Sequence, residues 1–144
     1  MKSSATPKQV LRSTHQRTAV LQAVESLHGT HPTAARLCDF IKTSAPPVGL
    51  ATIYRTLDRL VERGDVIAIR TGASVRYDLN IEPHHHLVCT QCGEVVDIDS
   101  KTVTVPSSLI ASFIHASGFD LTHAVLQISG ICPLCRQLET SSSP

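Results

Sequence analysis

The fold of this chain is decided by the stretch from His84 to Cys92, which reads HHHLVCTQC. Side chains alternate along a β-strand, so a strand here would direct His84 and His86 to one face and His85 to the other. A His-x-His pair on one strand face can chelate a metal ion. The Cys-x-x-Cys pair that follows is typical of a tight turn. The stretch therefore predicts two metal sites of different chemistry side by side.

A second Cys-x-x-Cys pair lies near the end of the chain, at Cys132 and Cys135. Together with Cys89 and Cys92 it has the composition of a tetrahedral structural zinc site. The alternatives are unpaired buried thiols or a dithiol redox pair. A redox pair usually opens a helix in a thioredoxin-like βαβ unit, and no such unit precedes either pair. The four cysteines therefore predict structural Zn(II). Cys38 lies in an apolar stripe and is predicted to be a core residue.

Carboxylates flank the His-x-His pair on both sides, with Asp78 before it and Asp97 after it. Imidazole and carboxylate ligands in five- or six-coordinate geometry suit Fe(II) or Mn(II), and Zn(II) could substitute. We interpret these four residues as a ligand cluster rather than as surface residues. His31, far upstream, would by itself be interpreted as a surface histidine.

Length and composition allow one ordinary domain or two small ones. The start of the chain lacks the apolar core of a signal peptide, and no stretch approaches the roughly 20 apolar residues of a membrane span. We therefore expect a cytoplasmic protein, in which cysteines are more often metal ligands than disulfides. Residues 1–78 carry eleven Lys and Arg against six Asp and Glu, whereas residues 79–144 carry two against six. The basic first half predicts a polyanion-binding domain.

Two helices are predicted at the start of this basic half. Thr14 is expected to cap a helix that runs to about Leu27. Thr33 is expected to cap a second helix, which Pro46-Pro47 stops. The apolar stripe of the second helix is Ala34, Leu37, Cys38 and Ile41.

A third helix is predicted from about Leu50 to Arg63, with Gly64 as its stop. Two β runs, at 66–70 and 75–79, form a hairpin around residues 71–74. Three helices followed by a hairpin predict a winged helix. The third helix is the candidate DNA reader, because packing uses its apolar face and arginine, tyrosine and threonine can contact bases or phosphates in the major groove. The side chains expected to point outward are Thr52, Tyr54, Arg55, Thr56 and Arg59.

A solvated helix face is the alternative interpretation of those side chains, but the helix-turn-helix, the hairpin and the positive charge favour DNA binding. Arg12, expected just ahead of the first helix, could enter a minor groove or contact a phosphate. An inert tail residue is the equally open alternative.

The second half of the chain predicts a small α/β unit, so that the fold class is α+β. Its expected elements are a strand ending at Cys89, strands at 94–99 and 119–129, and a helix from about Pro106 to Ser117. The predicted organisation is a winged-helix domain at 1–79, a hinge at 80–83, an α/β domain at 84–138 and a disordered tail at 139–144.

These residues together resemble the ferric uptake regulator family, over roughly residues 12–136. The matching stretches are Thr14–Arg17 (THQR), His31–Ala34 (HPTA), Leu50–Leu57 (LATIYRTL), His84–Gly93 and the closing pair Cys132 and Cys135. The resemblance implies a winged-helix DNA-binding domain, an α/β dimerisation domain, a structural zinc and a regulatory metal near the hinge. The regulatory ligands that it implies are His31, Asp78, His84, His86 and Asp97.

Aspartate at both 78 and 97 resembles the peroxide-responsive branch of the family, since the iron-uptake branch more often has glutamate there. The zinc-uptake branch usually brings a cysteine into the sensing site, and no spare cysteine lies near it; the manganese-responsive branch stays open. A further metal site of some relatives would fall on Pro83, His85, Thr104 and Ala124. Only His85 of these can ligate, so we expect that site to be absent or to be rebuilt with His123.

The resemblance implies a homodimeric repressor that binds pseudo-palindromic double-stranded DNA when Fe(II) or Mn(II) is bound. In the peroxide-responsive branch, oxidation of His31 or His84 would release the DNA. One alternative is an iron-, manganese- or zinc-uptake regulator without peroxide sensing. A second alternative, from another class, is a metalloenzyme or a metal carrier that uses the His/Asp site. No further acid or base with suggestive spacing appears, so we expect a regulator and not an enzyme.

Overall fold

A computed structural model describes residues 7–43, 48–72 and 74–141, and of residues 7–13 only the backbone. The chain forms two compact units: apart from the hairpin tip, the first extends through Ile81, and the second begins at Glu82. This boundary falls within the segment 80–83, whose role as a hinge stays a prediction. In the described residues no helix is both long enough and apolar enough to cross a membrane.

The first unit contains three helices followed by a two-stranded sheet. The helices are α1 (Pro7–Ser26), α2 (Ala34–Lys42) and α3 (Leu50–Glu62). Strands β1 (Ile67–Arg70) and β2 (Val75–Asp78) pair antiparallel as a hairpin. The predicted winged helix is therefore confirmed.

Helix α2 forms where the sequence predicts it. The Thr33 backbone is extended, with φ −81° and ψ 164°, and its hydroxyl accepts a hydrogen bond from the Arg36 N–H. This contact satisfies one of the N–H groups that a helix start leaves without a partner. The predicted stripe of Ala34, Leu37, Cys38 and Ile41 is buried throughout.

Helix α3 contributes Ile53, Leu57 and Leu60 to the core of this unit, where Val20 and Val24 of α1 also lie. The helix ends as predicted, because Gly64 has a φ of +74° that a residue without Cβ adopts freely. The Gly64 N–H donates to the Val61 carbonyl at 3.0 Å.

Several expectations for the first unit were wrong. Helix α1 begins at Pro7, so Thr14 is an interior residue whose carbonyl accepts from the Thr18 hydroxyl, and not a cap. Arg12 likewise lies inside α1, and its side chain falls outside the described residues. Thr56 is buried rather than outward, because positions 53, 56, 57 and 60 form one continuous stripe at helical spacing. The predicted Pro46-Pro47 turn lies outside the described residues.

The second unit contains a three-stranded sheet and two helices. Its elements are β3 (His85–Cys89), β4 (Val95–Ile98), α4 (Ser107–Ser117), β5 (Gln127–Gly130) and α5 (Pro133–Ser141). The strand order is β4-β3-β5, with β3 antiparallel to β4 and parallel to β5. The β3–β4 register places His86 directly opposite Asp97.

Two boundaries in this unit differ from expectation. The strand predicted over 119–129 is shorter, because regular pairing with β3 begins only where the His86 N–H donates to the Leu126 carbonyl. Helix α5 was not predicted, and it continues through Ser141 into the stretch 139–144 for which disorder was expected. Residues 142–144 lie outside the described part of the chain.

One face of this sheet is apolar and open. Leu87 pairs with Val96 on one side and with Ile128 on the other, and these three side chains are 41%, 47% and 52% exposed. They border a depression of about 190 Å³. No residue of α4, all of which the structure describes, is buried, although the helix carries Leu109 and Phe113. We refer to Leu87, Val96 and Ile128 as the open sheet face.

Replacing Leu57 by alanine should lower the free energy of unfolding of the first unit by about 2–5 kcal/mol, because the side chain is fully buried and leaves a cavity. Urea unfolding followed by circular dichroism measures the change. Leu50→Ala on the same helix is the matched control, since Leu50 is 43% exposed. Equal losses for the two variants would contradict the described core.

Candidate functional site

Four cysteines from the two Cys-x-x-Cys pairs meet beside the sheet of the second unit. Cys89 ends β3, Cys92 lies in the turn toward β4, and Cys135 lies in the first turn of α5, which Cys132 precedes. The sulfur atoms of Cys89 and Cys135 are 3.9 Å apart, and those of Cys92 and Cys132 are 3.8 Å apart. All four sulfurs lie within 4.8 Å of one another.

The four thiols do not ionise equally readily. Backbone N–H groups, first that of Cys92 and then that of Cys132, lower the pKa of Cys89 to about 6. The hydrogen bond with the Cys132 side chain raises the pKa of Cys135 to about 12. One thiolate is therefore favoured at neutral pH, but four adjacent thiolates are stable only when a positive charge lies between them.

The separations match zinc. Four sulfurs at about 2.3 Å from a tetrahedral Zn(II) lie about 3.8 Å apart, which agrees with the two pairs above. The cysteines form a closed tetrathiolate site, and such sites serve structure rather than catalysis. In a unit this small, the cluster ties α5 to the β3–β4 turn.

A second cluster in the same unit consists of His84, His86 and Asp97. The Asp97 Oδ1 atom lies 3.2 Å from His84 Nε2 and 3.5 Å from His86 Nε2. The two imidazole rings are 4.4 Å apart, centre to centre. His84 Nδ1 lies 2.6 Å from the Glu82 carbonyl, to which it donates when Nε2 is the ligating nitrogen. His84 lies one residue before the start of β3. Its imidazole nevertheless approaches the same carboxylate as that of His86, so the two side chains share a face as strand alternation predicts.

The first unit contains a histidine–carboxylate pair of its own, His31 and Asp78. The distance between His31 Nε2 and Asp78 Oδ2 is 3.8 Å, and both side chains are buried. The second oxygen of Asp78, Oδ1, accepts a hydrogen bond from the Asn80 N–H at 2.9 Å. This bond orients the carboxylate, so that Oδ2 faces the imidazole.

Both groups fit a first-row divalent ion. Ligand atoms at about 2.1 Å from one ion lie about 3.0 Å apart in octahedral geometry and about 3.4 Å apart in tetrahedral geometry. The separations within the second unit fall close to these values, whereas the His31–Asp78 distance is a few tenths of an ångström longer. The all-nitrogen-and-oxygen donor set suits Fe(II), Mn(II) or Zn(II).

His85 has a structural role. Its Nε2 atom lies 2.8 Å from the Val103 carbonyl, and its Nδ1 atom accepts the Leu126 N–H at 3.2 Å. Both ring nitrogens are therefore engaged with backbone groups, which fixes the tautomer with the proton on Nε2. The imidazole links β3 to the two segments that flank it, and in this arrangement neither nitrogen is free to bind a metal. His123 is exposed and lies 3.2 Å from the hydroxyl of Thr122.

Three of the predicted DNA-reading side chains lie on the solvent side of α3, whereas Thr52 is half-buried and Thr56 is buried. Tyr54 is 46% exposed, and Arg55 and Arg59 are also exposed. The Arg55 guanidinium donates to the Thr52 hydroxyl at 3.2 Å, which aligns these two side chains along the helix. The exposed side of the helix thus carries two arginines and a tyrosine, with the carboxylates of Asp58 and Glu62 among them. Arginine and tyrosine are residue types that can contact bases or phosphates in a major groove.

Sequence comparison places the chain among known regulators. The model of the ferric uptake regulator family matches residues 8–129. The chain is 35% identical to the peroxide-responsive repressor PerR of Staphylococcus aureus over 127 residues, which cover 88% of this chain and 83% of that protein.

Solved structures give the same result. The peroxide stress regulator of Campylobacter jejuni is 30% identical, with a TM-score of 0.68 over 89% of this chain and 94% of that one. The ferric uptake regulator of Pseudomonas aeruginosa, solved with manganese, is 26% identical, with a TM-score of 0.62 over 82% of this chain and 87% of that one.

Replacing Cys135 by serine should abolish the stable binding of zinc, because three thiolates and a hydroxyl no longer form the closed site. Elemental analysis of the purified protein measures the zinc content. Cys38→Ala is the matched control and should keep one zinc per chain, since Cys38 is buried in the other unit. The double variant Cys135→Ser/His84→Ala removes zinc from the nitrogen/oxygen site as well. Full zinc occupancy in both the single and the double variant would show that the cluster is not the zinc site.

Proposed function

The chain belongs to the ferric uptake regulator family, and we propose that it is a homodimeric, metal-dependent repressor that binds pseudo-palindromic DNA in the cytoplasm. One observation carries this proposal: the candidate ligands are divided between the two units, with two in the DNA-binding unit and three in the sheet unit. Neither set alone fills the five or six positions that Fe(II) or Mn(II) prefers. Five ligands are available only when both units contribute.

The proposed regulatory ligands are His31, Asp78, His84, His86 and Asp97. Bound Fe(II) or Mn(II), for which Zn(II) can substitute, would supply a positive charge that these imidazoles and carboxylates share. The chain's own contribution is orientation, since Asn80 aligns Asp78 and the Glu82 carbonyl aligns His84.

Regulation follows from the linker between the units. When ligands from both units share one ion, the two DNA-binding units of a dimer are held at a defined spacing, which must match the spacing of the DNA half-sites. Without shared ligands the linker allows many orientations, so the DNA-competent arrangement is only fractionally populated. A coupling of roughly 1–3 kcal/mol per site changes DNA affinity about 5–150-fold.

DNA recognition is assigned to the outward face of α3. Arg55 and Arg59 can donate to guanine or to phosphates, while Tyr54 and Thr52 can contact thymine methyl groups or the backbone. Arg12 in α1 is proposed as an additional contact to phosphate or to the minor groove. The excess of positive charge in residues 1–78 favours this polyanionic partner over an acidic or neutral one.

Dimerisation is assigned to the second unit. Leu87, Val96 and Ile128 of its open sheet face and Leu109 and Phe113 of α4 are all more than 40% exposed. Large exposed apolar groups of this kind often mark a protein–protein contact. A second copy of the chain that covers these residues would remove that surface from solvent and would bring two reading helices onto one DNA site.

The ligand pattern and the relatives named above favour peroxide sensing within this family. Bound Fe(II) would supply the redox chemistry that activates peroxide. Peroxide itself is the two-electron oxidant: one of its oxygens would end on the imidazole of His31 or His84, and the other would leave as water. A metal-uptake regulator without peroxide sensing is the alternative within the family. An enzyme or a metal carrier is the alternative outside it, and neither would bind DNA in a metal-dependent way.

Metal-gated DNA binding should be lost when one ligand is removed from the second unit. Asp97→Ala is expected to reduce the Mn(II)-dependent gain in operator affinity from about 5–150-fold to no gain, because His84 and His86 lose their shared carboxylate. Fluorescence anisotropy with a labelled promoter fragment measures affinity at fixed salt.

Asp99→Ala is the matched control for this experiment, since Asp99 lies two residues away and its Oδ1 accepts a hydrogen bond from the turn N–H of Lys101. Zinc content should be unchanged in both variants. A full Mn(II) response in Asp97→Ala would contradict the proposed regulatory site.

Peroxide sensing has its own test. Fe(II)-loaded protein exposed to a small excess of peroxide should gain one oxygen atom on the peptide that contains His31 or His84, as measured by tandem mass spectrometry. The Mn(II)-loaded protein and the exposed His28 serve as controls and should gain none. Operator affinity should fall in parallel with the modification. No oxygen on either ligand would leave metal sensing without a peroxide response.

A further inference from the structure

We propose that Arg76 is a positioning residue for the regulatory metal, because its guanidinium holds the backbone of the His31 turn in a conformation that this residue would otherwise avoid. The inference rests on the proposed regulatory site, of which His31 is a ligand. It adds a residue of the hairpin that is not itself a ligand.

The backbone at His31 lies in a sparsely populated conformation. His31 has a φ of +46°, and it is the only non-glycine residue with a positive φ in the described residues. Residues with a Cβ atom seldom adopt this left-handed region, and they stay there only when the surrounding structure holds them. Strained positions of this kind cluster at ligand sites.

Three contacts fasten this turn to strand β2. The Arg76 Nη1 atom donates to the His31 carbonyl at 3.0 Å. The Tyr77 N–H donates to the Pro32 carbonyl at 3.0 Å, and Thr33 pairs with Arg76 through an isolated β-bridge. Two of these contacts are made by the backbone, so they do not require the side chain of Arg76. The Arg76 hydrogen bond is the one that depends on a side chain, and it is the one that reaches His31 itself.

Strand β2 thereby sets the distance between two proposed ligands. Arg76 and Asp78 lie two residues apart, so their side chains leave the same face of the strand. Asp78 belongs to the strand directly, and His31 is tied to the same strand through Arg76. The 3.8 Å between His31 Nε2 and Asp78 Oδ2 is therefore fixed through one strand.

The Arg76 guanidinium contacts a backbone carbonyl rather than a carboxylate, which fits a residue that positions the backbone better than one that forms an ion pair. In the described part of the chain, Arg76 makes no ion pair, and its hydrogen bond goes to a main-chain carbonyl. A guanidinium that is partly buried against a carbonyl orients the peptide unit it contacts. The peptide it contacts here belongs to the ligand residue His31.

Arg76→Met should weaken Mn(II) binding about 10-fold, since residues that orient metal ligands typically contribute 10–100-fold to metal affinity. Free Mn(II) is measured by electron paramagnetic resonance during titration of zinc-loaded, full-length protein. Arg36→Met is the matched control, because it removes the same charge from an exposed position of the same unit and should leave the affinity unchanged. If Arg76→Met does not fold, Arg76→Lys, which keeps the positive charge, is titrated with Mn(II) in its place.

A double-mutant cycle shows whether Arg76 acts through His31. In a His31→Ala background, Arg76→Met should cause no further loss of Mn(II) affinity, because the ligand it positions is already absent. An equal 10-fold loss in both backgrounds would indicate general destabilisation and would overturn the proposal, as would unchanged affinity in Arg76→Met.

The proposed function fails separately from this inference. If the wild-type protein binds no Mn(II) beyond its zinc, or if His84→Ala binds Mn(II) as tightly as the wild type, the regulatory site itself is wrong. If His84→Ala loses Mn(II) and Arg76→Met does not, the site stands and the role of Arg76 is refuted.

Discussion

The nitrogen/oxygen site depends on the positions of two carboxylates. Asp78 and Asp97 each lie within 4 Å of an imidazole, and Asp78 is buried almost completely. A carboxylate withdrawn from water requires positive charge or hydrogen bonds nearby. A divalent ion shared by neutral imidazoles and ionised carboxylates meets that requirement without protonating any histidine. Because the proposed ligands are divided between two units, an ion that meets this requirement for all of them would link the units.

The sulfur site and the nitrogen/oxygen site have complementary tasks. Zinc held by four thiolates has no redox chemistry and keeps the cysteines from reacting. Strand β3 begins beside the histidines and ends at Cys89, so the zinc site anchors the strand that carries His86 opposite Asp97. His85, between the two ligands, ties the same strand to Val103 and Leu126 on either side. The second unit therefore offers His84 and His86 at the start of a strand that is held at both ends, with Asp97 on the neighbouring strand β4. The first unit offers Asp78 at the end of β2 and His31 in the turn that is hydrogen-bonded to β2.

Local sequence signals predicted much of this arrangement. The Thr33 cap, the stripe of α2 and the glycine stop after α3 depend on neighbouring residues only, and the structure confirms them. Strand alternation correctly predicted that the side chains of His84 and His86 lie on the same face of the sheet. Burial of Thr56 was missed because its stripe is set by packing, and helix α5 was missed because short polar helices depend on tertiary contacts. The roles of Arg76 and His85 were missed for the same reason: each contacts backbone groups at least 18 residues away, and residue type does not reveal such partners.

If both units share one ion, as we propose, metal binding should restrict their orientation, and the distance between them reports this restriction directly. A fluorescence donor at position 42 and an acceptor at position 101, both exposed, report this distance in single molecules. Without a regulatory metal we expect a broad distribution of transfer efficiencies. Saturating Mn(II) should narrow it in the wild type and leave it broad in His84→Ala. A distribution that Mn(II) does not change in the wild type would contradict the account.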